Sequence, residues 1–420
     1  MKCAGLMLGR LLLPLLTLPW VAGAQKFYTY VGQIGVNSVV LAWGRAELPG
    51  NTIGLNSESH GKAVVKIGSQ SVETERNWIT IEHLRPDTEY SYEVRLGERV
   101  IGEGGVRTYP EHSDALAFFV IGDYGNGGSR QYKVADAMVR AFEQHRSSPN
   151  PVRFVLTVGD NIYSDATFGN LALRSGNEDR HWDQKYFRPY ERVIRHIPFH
   201  PTLGNHDGNV SESRGDLAVY LDNFFFPGLR PARWYTFSYG GLADFFALDS
   251  TDITEQGPPR PAYALGGEQF RWLREVLSGS HAAWKIPYLH HPPFNAGPRH
   301  GTSFDALLPF IDLFEKSGVK VVFTGHEHNF QFSTQDQATG GMCFVISGAG
   351  GELRKGNVTH KMERAHIAGW AGQNHFLLVE ILGRSMRITP ISYEPIKVVD
   401  KNGDAIQIPV VVNLQSLEKP

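Results

Sequence analysis

The first part of the chain alternates apolar and polar residues over short stretches, which is the pattern of half-buried β-strands. Residues 38–43, 63–67 and 89–94 form such stretches. Turn-forming residues lie between them at Pro49-Gly50-Asn51 and at His60-Gly61. Strands at this spacing without helices predict a small all-β sandwich domain over residues 25–110.

The pattern changes near residue 110. Ala115–Ile121 is a continuous apolar run, residues 130–145 have helical spacing, and residues 153–158 form a second apolar run. A strand, a helix and a strand in this order form a βαβ unit, whose two strands are parallel. The alternation of helix and strand continues to about residue 324, with helical spacing again at residues 304–316. The sequence therefore predicts a second, mainly α/β domain over residues 115–420.

The first 24 residues have a composition of their own. Leu11–Val21 is almost entirely apolar, and Ala22-Gly23-Ala24 supplies the small residues of a cleavage site. This is the pattern of a secretory signal peptide at residues 1–24. An uncleaved membrane anchor is the alternative, but the apolar run is short for a bilayer and two prolines interrupt it. We therefore expect a secreted or periplasmic protein.

Composition narrows the possible partners. The chain has 420 residues, 41% of them hydrophobic, which is enough to bury a large core. Its formal net charge of -2 argues against a protein that coats nucleic acid, and no later run is long enough to span a membrane. Cys343 is the one cysteine after the predicted signal peptide, so no internal disulfide is expected. Its apolar neighbours predict a buried thiol.

Side chains that can bind metals follow five of the apolar runs. The carboxyl ends of the strands form the site in open α/β sheets, so these side chains are expected to lie close together. One aspartate after a strand is usually a turn residue, whereas five strand ends of this kind indicate a metal site. Glycine precedes four of the polar residues and allows a sharp turn there. The residues are Asp123, Asp160 with Tyr163, Asn205-His206-Asp207, His290-His291 and His326-Glu327-His328.

The donor types restrict the metal. Oxygen and nitrogen donors without cysteine exclude a thiolate zinc site and suit iron, manganese or zinc. Seven donors are too many for one ion and suit two ions that share a carboxylate. Tyr163 is the most discriminating donor, because a phenol with a pKa of about 10 binds only a strongly acidic metal at neutral or acid pH. The alternative for Tyr163 is a packed aromatic with a hydrogen-bonded hydroxyl.

Four segments resemble, in order, signature blocks of the purple acid phosphatases, which are calcineurin-like metallophosphoesterases. They are Gly122-Asp123-Tyr124-Gly125, Gly159-Asp160-Asn161-Ile162-Tyr163, Gly204-Asn205-His206-Asp207 and Gly325-His326-Glu327-His328. The fifth block, V-x-x-H in that family, reads Pro287-Tyr288-Leu289-His290 here, with His291 adjacent. The resemblance covers residues 115 to 395. It implies a metallophosphoesterase β-sandwich flanked by helices.

The N-terminal region carries a second resemblance. Residues 84–94, together with Trp43, are similar to the strand signature of fibronectin type III domains. This implies that residues 25–110 form such a domain, as in the larger purple acid phosphatases.

Carried over residue by residue, the family resemblance implies two metal ions. Fe³⁺ would bind Asp123, Asp160, Tyr163 and His328. A divalent ion (Fe²⁺, Zn²⁺ or Mn²⁺) would bind Asp160, Asn205, His290 and His326, so that Asp160 bridges the two.

The same resemblance implies two residues for the chemistry, His206 and His300. His206 would act as the general acid or stabilise the transition state, and the adjacent Asp207 is placed to orient the His206 ring. His300, ten residues after His290, would lie on the substrate side, with Arg299 beside it to meet a phosphate oxygen. A solvated loop pair is the alternative interpretation for His300 and Arg299.

Three functions are consistent with these observations. Tyr163 and the export signal favour a secreted acid phosphatase that hydrolyses small phosphate monoesters by attack of a metal-bound hydroxide. A phosphodiesterase or other phosphoesterase of the same superfamily is the alternative. A catalytically silent binding protein is the third, but the full donor set with His206 argues against it.

Overall fold

The computed structural model describes residues 26–46, 59–164, 167–168, 171–172, 181–208, 217–251 and 263–414. The signal peptide predicted at residues 1–24 lies outside these ranges and stays a prediction. Across the described ranges, the helices are all too short or too polar to cross a bilayer.

The strands of the described ranges, in chain order, are β1 (Tyr28–Ile34), β2 (Val39–Gly44), β3 (Ala63–Ile67), β4 (Gln70–Thr74), β5 (Trp78–Ile81), β6 (Glu89–Leu96), β7 (Arg99–Arg107), β8 (Ala115–Ile121), β9 (Val152–Thr157), β10 (Thr167–Phe168), β11 (Leu171–Ala172), β12 (Phe199–Pro201), β13 (Tyr235–Tyr239), β14 (Ala243–Ala247), β15 (Trp284–Tyr288), β16 (Val321–Thr324), β17 (Phe330–Ser333), β18 (Cys343–Ser347), β19 (Ile367–Ala371), β20 (Phe376–Leu382), β21 (Ser385–Ile391) and β22 (Val410–Asn413). The α-helices there are α1 (Ser129–Arg146), α2 (Arg188–Ile194), α3 (Ala218–Asn223), α4 (Glu268–Gly279), α5 (Phe304–Lys316) and α6 (Thr359–Met362). A π-helical turn (Asp183–Phe187) leads into α2, and short 3-10 turns lie at Pro227–Leu229, Gln337–Thr339 and Glu363–Ala365.

Strands β1 to β7 form two antiparallel sheets, in the orders β1-β2-β5 and β4-β3-β6-β7. Alternation explains their one-sided burial: Ala63, Val65 and Ile67 of β3 are buried, whereas Lys66 is exposed. An all-β N-terminal region is therefore confirmed. Its identity as a fibronectin type III domain stays a prediction.

Hydrogen bonds fix this N-terminal region to the rest of the chain. The Tyr30 hydroxyl donates to the Asn223 carbonyl at 3.1 Å, and the Tyr92 hydroxyl donates to the Arg195 carbonyl at 2.8 Å. Both tyrosine side chains are buried, so the contacts are shielded from water. The N-terminal sheets therefore contact the rest of the chain at the carboxyl ends of α2 and α3.

The second region contains two mixed sheets. The six-stranded sheet has the order β12-β9-β8-β20-β21-β22, and the seven-stranded sheet has the order β13-β14-β15-β16-β18-β17-β19. Strands β8, β9 and β12 are parallel to one another, as are β14, β15, β16 and β18. This confirms the predicted mainly α/β class with partly parallel sheets.

Phenylalanines fill the space between the two sheets. Phe118 and Phe154 of the six-stranded sheet stack at 5.3 Å between ring centroids. Phe245 of the seven-stranded sheet meets Phe118 edge-on at 5.4 Å and Phe154 at 5.1 Å. These rings are fully buried, and edge-to-face contacts add to the stabilisation that burial gives. The core thus holds the two sheets in a fixed relation, which fixes the positions of their strand ends.

Helices cover the outer face of the seven-stranded sheet. Leu273 of α4 and Phe310 of α5 pack with Phe246 and Phe344 of the sheet in a second hydrophobic cluster. The predicted helix at 304–316 coincides with α5, because apolar residues recur on one face there.

His200, on edge strand β12, is buried in an apolar setting. Its ring stacks on Phe237 at 4.0 Å between centroids, and neither ring nitrogen has a hydrogen-bond partner among the described residues. Burial lowers the pKa of His200 to about 3. In the unfolded chain this histidine has an ordinary pKa of about 6.5. Between the folded and the unfolded pKa, the ring therefore binds a proton in the unfolded chain but not in the folded chain.

We expect His200→Phe to flatten the acid limb of the stability curve. Below pH 6.5 the wild-type chain should lose up to about 1.4 kcal/mol per pH unit from this group, down to its folded pKa. This loss of stability should be absent in His200→Phe, because the phenyl ring cannot be protonated. Urea unfolding at several pH values between about 4 and 7 measures how the free energy of unfolding changes with pH. The variant His281→Gln, at an exposed histidine, is the control. An unchanged slope in His200→Phe would contradict the expectation.

Candidate metal centre

The five donor-bearing loops follow strands of both sheets. Asp123, Asp160 and Asn205 come after β8, β9 and β12 of the six-stranded sheet, and His290 and His326 come after β15 and β16 of the seven-stranded sheet. The carboxyl ends of the parallel strands in each sheet meet at the same end of the sandwich. The site is therefore built between two sheets, not along the edge of one.

One set of donors gathers around the Tyr163 hydroxyl. This oxygen lies 3.2 Å from Asp123 Oδ1, 3.0 Å from Asp160 Oδ2 and 3.3 Å from His328 Nε2. His328 Nε2 lies 3.3 Å from Asp123 Oδ1. Ligand atoms of Asp123, Asp160 and His328 all lie within 4.8 Å of one another, which is the spacing of a metal site.

A second set gathers around His290. Its Nε2 lies 3.1 Å from Asn205 Oδ1, 3.2 Å from His326 Nδ1 and 3.5 Å from Asp160 Oδ1. Asp160 thus turns Oδ2 toward Tyr163 and Oδ1 toward His290. All seven predicted donors come together in two sets that share the Asp160 carboxylate.

The structure separates His290 from its neighbour His291. His290 Nδ1 lies 2.8 Å from the Val158 carbonyl, which leaves Nε2 to face the other donors. His291 Nδ1 instead lies 3.0 Å from the Ser250 hydroxyl. The geometry therefore favours His290 as the ligand.

The backbone of the loops is bent to bring the donors together. Asp123, Asp160 and His326 have φ angles of 55°, 51° and 68°, in the left-handed region that non-glycine residues rarely adopt. Such conformations persist where the surroundings over-determine them, often at functional sites. Gly204 allows a close approach of two loops, because a Cβ there would lie 2.2 Å from Asp160 Oδ1.

The electrostatics of the donors explain why they need cations. Burial and the carboxylates of Asp123 and Asp160 raise the pKa of Tyr163 well above its usual value. Burial would raise the pKa of Asp160, but His290 and His206 hold it well below its usual range. Burial acts to lower the pKa of His290, yet the Asp160 carboxylate raises it to about 9. Positive charge is thus drawn to this position, and a bound cation would take the place of the proton.

The residues present fit two cations. Buried carboxylates are stable only when they are paired or bind metals, and Asp123 and Asp160 are both almost fully buried. The hard oxygen and imidazole nitrogen donors suit iron, zinc or manganese. The arrangement of the donors in two sets with one shared carboxylate suits a dinuclear centre.

His206 lies against the first set of donors. Its ring centroid is 4.5 Å from that of Tyr163, and its backbone N–H donates to Asp160 Oδ1 at 2.8 Å. The side chain is half-buried, so it can reach both the centre and solvent.

The role predicted for Asp207 has to be corrected. Its Oδ1 accepts from the backbone N–H groups of Asn161 and Ile162, at 2.8 and 3.0 Å. Its Oδ2 accepts from the Asn161 side chain and the Gly204 N–H, both at 2.8 Å. These four bonds use the acceptor capacity of the carboxylate, so none is left to orient His206. Asp207 instead joins the loops that carry Asp160 and Asn205. Burial and the charge of Asp160 raise its pKa to about 7.

His300 lies beside the second set of donors. Its ring stacks on His326, 3.9 Å between centroids and inclined by 13°. Burial and neighbouring Arg354 lower the pKa of His300 to about 4. Arg299, its partner in the sequence interpretation, is exposed.

Sequence reasoning missed Arg354 and the role of Glu327. Arg354 Nη1 lies 2.8 Å from His300 Nδ1 and 3.6 Å from Glu327 Oε1, and the Glu327 carboxylate is fully buried. Glu327 Oε2 also accepts from the His300 N–H at 3.1 Å. Glu327 thus holds the Arg354 guanidinium and the His300 backbone beside the centre. The position of Glu327 between His326 and His328 could have indicated its role from the sequence, whereas no local pattern marks Arg354.

The chain is similar in sequence to known phosphoesterases. The family model described as calcineurin-like phosphoesterase matches residues 116–330. Tartrate-resistant acid phosphatase type 5 from Sus scrofa is 28% identical over 313 residues, which cover 68% of this chain and 85% of the relative.

Two solved structures share the fold. PhoD aligns with a TM-score of 0.63 at 15% identity, covering 91% of this chain and 92% of PhoD. Purple acid phosphatase PPD1 from yellow lupin (Lupinus luteus) seeds aligns with a TM-score of 0.64 at 16% identity, covering 92% of this chain and 74% of PPD1. The strand ends that carry the donors therefore belong to a known architecture.

Proposed function

From the premise that the chain belongs to the calcineurin-like phosphoesterase family, we propose that it is a secreted acid phosphatase that hydrolyses phosphate monoesters. The observation that carries the narrower part of the proposal is the position of Tyr163. Its hydroxyl lies within 3.3 Å of donor atoms of Asp123, Asp160 and His328. The relationship to tartrate-resistant acid phosphatase supports the same activity.

Tyr163 also supports the choice of metal. A phenol whose pKa is raised by burial and by two carboxylates gives up its proton only to a strongly acidic cation. A trivalent ion such as Fe³⁺ meets this requirement better than Zn²⁺ or Mg²⁺. We therefore propose Fe³⁺ for Asp123, Asp160, Tyr163 and His328. The second set, Asp160, Asn205, His290 and His326, would hold a divalent ion.

The chemistry divides between the cations and the protein. When bound, the two cations polarise the phosphate oxygens and activate the water that attacks phosphorus. Asp160 and the other donors would hold the cations beside His206, whose ring can give a proton to the leaving oxygen. His300 and Arg354 border the opposite side, where the guanidinium can hydrogen-bond a phosphate oxygen. Glu327 keeps Arg354 oriented. Parallel assays with a monoester and a diester would separate the proposal from a phosphodiesterase.

We expect Tyr163→Phe to abolish visible absorption of the purified protein. The wild-type protein should contain about one iron and one second metal, with a phenolate-to-iron charge-transfer band. The variant keeps the ring but lacks the oxygen, so the band should vanish and bound iron should fall. Metal analysis and visible spectroscopy test this, and Tyr132→Phe, whose hydroxyl donates to the Gln184 carbonyl, is the matched control.

The ferric proposal would be contradicted if the wild-type protein were colourless, contained only zinc and kept its activity in the Tyr163→Phe variant. Phosphatase activity could still stand in that case. The metal proposal and the activity proposal are thus tested separately.

A further inference from the structure

A pocket of about 620 Å³ opens beside the metal centre. His300 is one of its lining residues, and the His300 ring stacks on the proposed ligand His326 at 3.9 Å. A group that extends from a phosphate at the centre past His300 would therefore enter this pocket. None of the seven proposed metal donors lines this pocket.

Rings form the apolar wall of the pocket. Phe294 and Phe304 lie 5.2 Å apart between centroids, and the imidazole of His366 meets Phe294 edge-on at 5.9 Å. Phe294 is anchored by Phe344 of the core at 5.0 Å, so this wall is rigid. At the mouth, a Cβ on Gly301 would meet no atom within 4 Å. The wall suits a planar ring, which can stack or meet the phenylalanines edge-on.

The rim carries positive charge. Lys361 and Arg364 line it one helical turn apart, and among the described residues neither has a carboxylate partner. Nearby acidic residues are engaged elsewhere: Glu363 pairs with Lys401 at 3.0 Å, and Asp336 faces His366 at 3.8 Å. One lining aspartate, Asp305, offsets part of the charge. A negatively charged group in the pocket would therefore meet two cations.

We infer that this pocket binds the leaving group of a small phosphate monoester that combines a planar ring with a second anionic group. The inference rests on the proposed phosphatase function. The phosphoryl group lies at the metal centre, the ring packs against Phe294 and Phe304, and the anionic group pairs with Lys361 and Arg364. Substrates with all three features have higher kcat/KM than substrates that lack the ring or the charge.

Two esters isolate the charge. The substrates 4-carboxyphenyl phosphate and 4-carbamoylphenyl phosphate share the ring and have similar shapes, but only the first carries a carboxylate charge in addition to the phosphate charge near pH 6. The wild-type protein should favour the first by roughly fivefold in kcat/KM, as expected for two exposed ion pairs. The double variant Lys361→Gln/Arg364→Gln should bring the ratio close to one. Arg271→Gln/Arg274→Gln, a pair of exposed charges with the same spacing on α4, should leave the ratio unchanged.

A second variant tests the ring. Phe304→Leu removes the flat surface but retains an apolar side chain. It should lower kcat/KM for phenyl phosphate more than for glycerol phosphate. An equal effect on both esters would overturn the assignment of the ring position.

Binding of the non-hydrolysable 4-carboxyphenylphosphonate, measured by calorimetry, separates this inference from the proposed function. If neither ester is hydrolysed but Lys361→Gln/Arg364→Gln weakens phosphonate binding, the phosphatase proposal fails and the pocket assignment stands. If both esters are hydrolysed at the same rate, or the ratio persists in that double variant, the pocket assignment is overturned. Absence of both hydrolysis and phosphonate binding overturns both.

Discussion

Asp160→Asn should remove almost all phosphatase activity, by about 10⁴-fold in kcat/KM. Each cation at such a centre contributes several kcal/mol to the transition state, and 1.4 kcal/mol corresponds to tenfold in rate. Asp160 is the one donor that belongs to both sets, with Oδ2 at 3.0 Å from Tyr163 and Oδ1 at 3.5 Å from His290. The amide of asparagine has one acceptor oxygen and no charge. The amide oxygen can therefore serve only one of the two sets, and without a negative charge.

Metal analysis of the same variant distinguishes loss of the centre from loss of the fold. We expect both metals to fall well below one equivalent, whereas circular dichroism should still show the mixed sheets. Asp244→Asn is a suitable control, because Asp244 lies on β14 and accepts a hydrogen bond from Ser280 at 2.6 Å, away from the donor loops. An Asp160→Asn protein that keeps two metals and activity within tenfold of wild type would contradict the bridging role.

The sequence predicts the elements of the fold better than the arrangement of those elements. The apolar run Ala115–Ile121 coincides with β8, and the helical spacing at 304–316 coincides with α5, because local periodicity decides both. The seven predicted donors all lie in loops that follow such runs. The sequence could not show that β8 and β15 belong to different sheets, since this depends on long-range pairing. The donors meet between two sheets, which strand-end positions alone do not reveal.

The neighbours of the donors were harder to predict than the donors. Asp207 is next to His206 in the chain, and adjacency suggested that one orients the other. The turn after Gly204 instead directs the Asp207 carboxylate to the Asp160 loop, where it accepts four hydrogen bonds. Arg354 reaches His300 from 54 residues away in sequence, and no periodic pattern connects them. Such contacts arise from tertiary packing and need coordinates.

His206→Ala is expected to lower kcat by about 10² to 10³-fold while both metals stay bound. The backbone N–H of His206 donates to Asp160 Oδ1, and alanine retains that bond. The variant therefore removes the ring without removing the hydrogen bond that positions the loop. If the ring donates a proton to the leaving oxygen, its loss matters most when the leaving group is a strong base. The defect should be large for an alkyl phosphate and small for 4-nitrophenyl phosphate.

This dependence on the leaving group is the decisive readout. A His206 that merely packed against Tyr163, at 4.5 Å between ring centroids, would slow both substrates equally or release the metals. Exposed His360→Ala should change neither substrate. An equal loss on both substrates, with metal content intact, would exclude His206 as the general acid. A role in stabilising the transition-state charge would remain, because that charge develops on the phosphoryl oxygens of either ester. Loss of metal in His206→Ala would instead assign the ring to the structure of the centre.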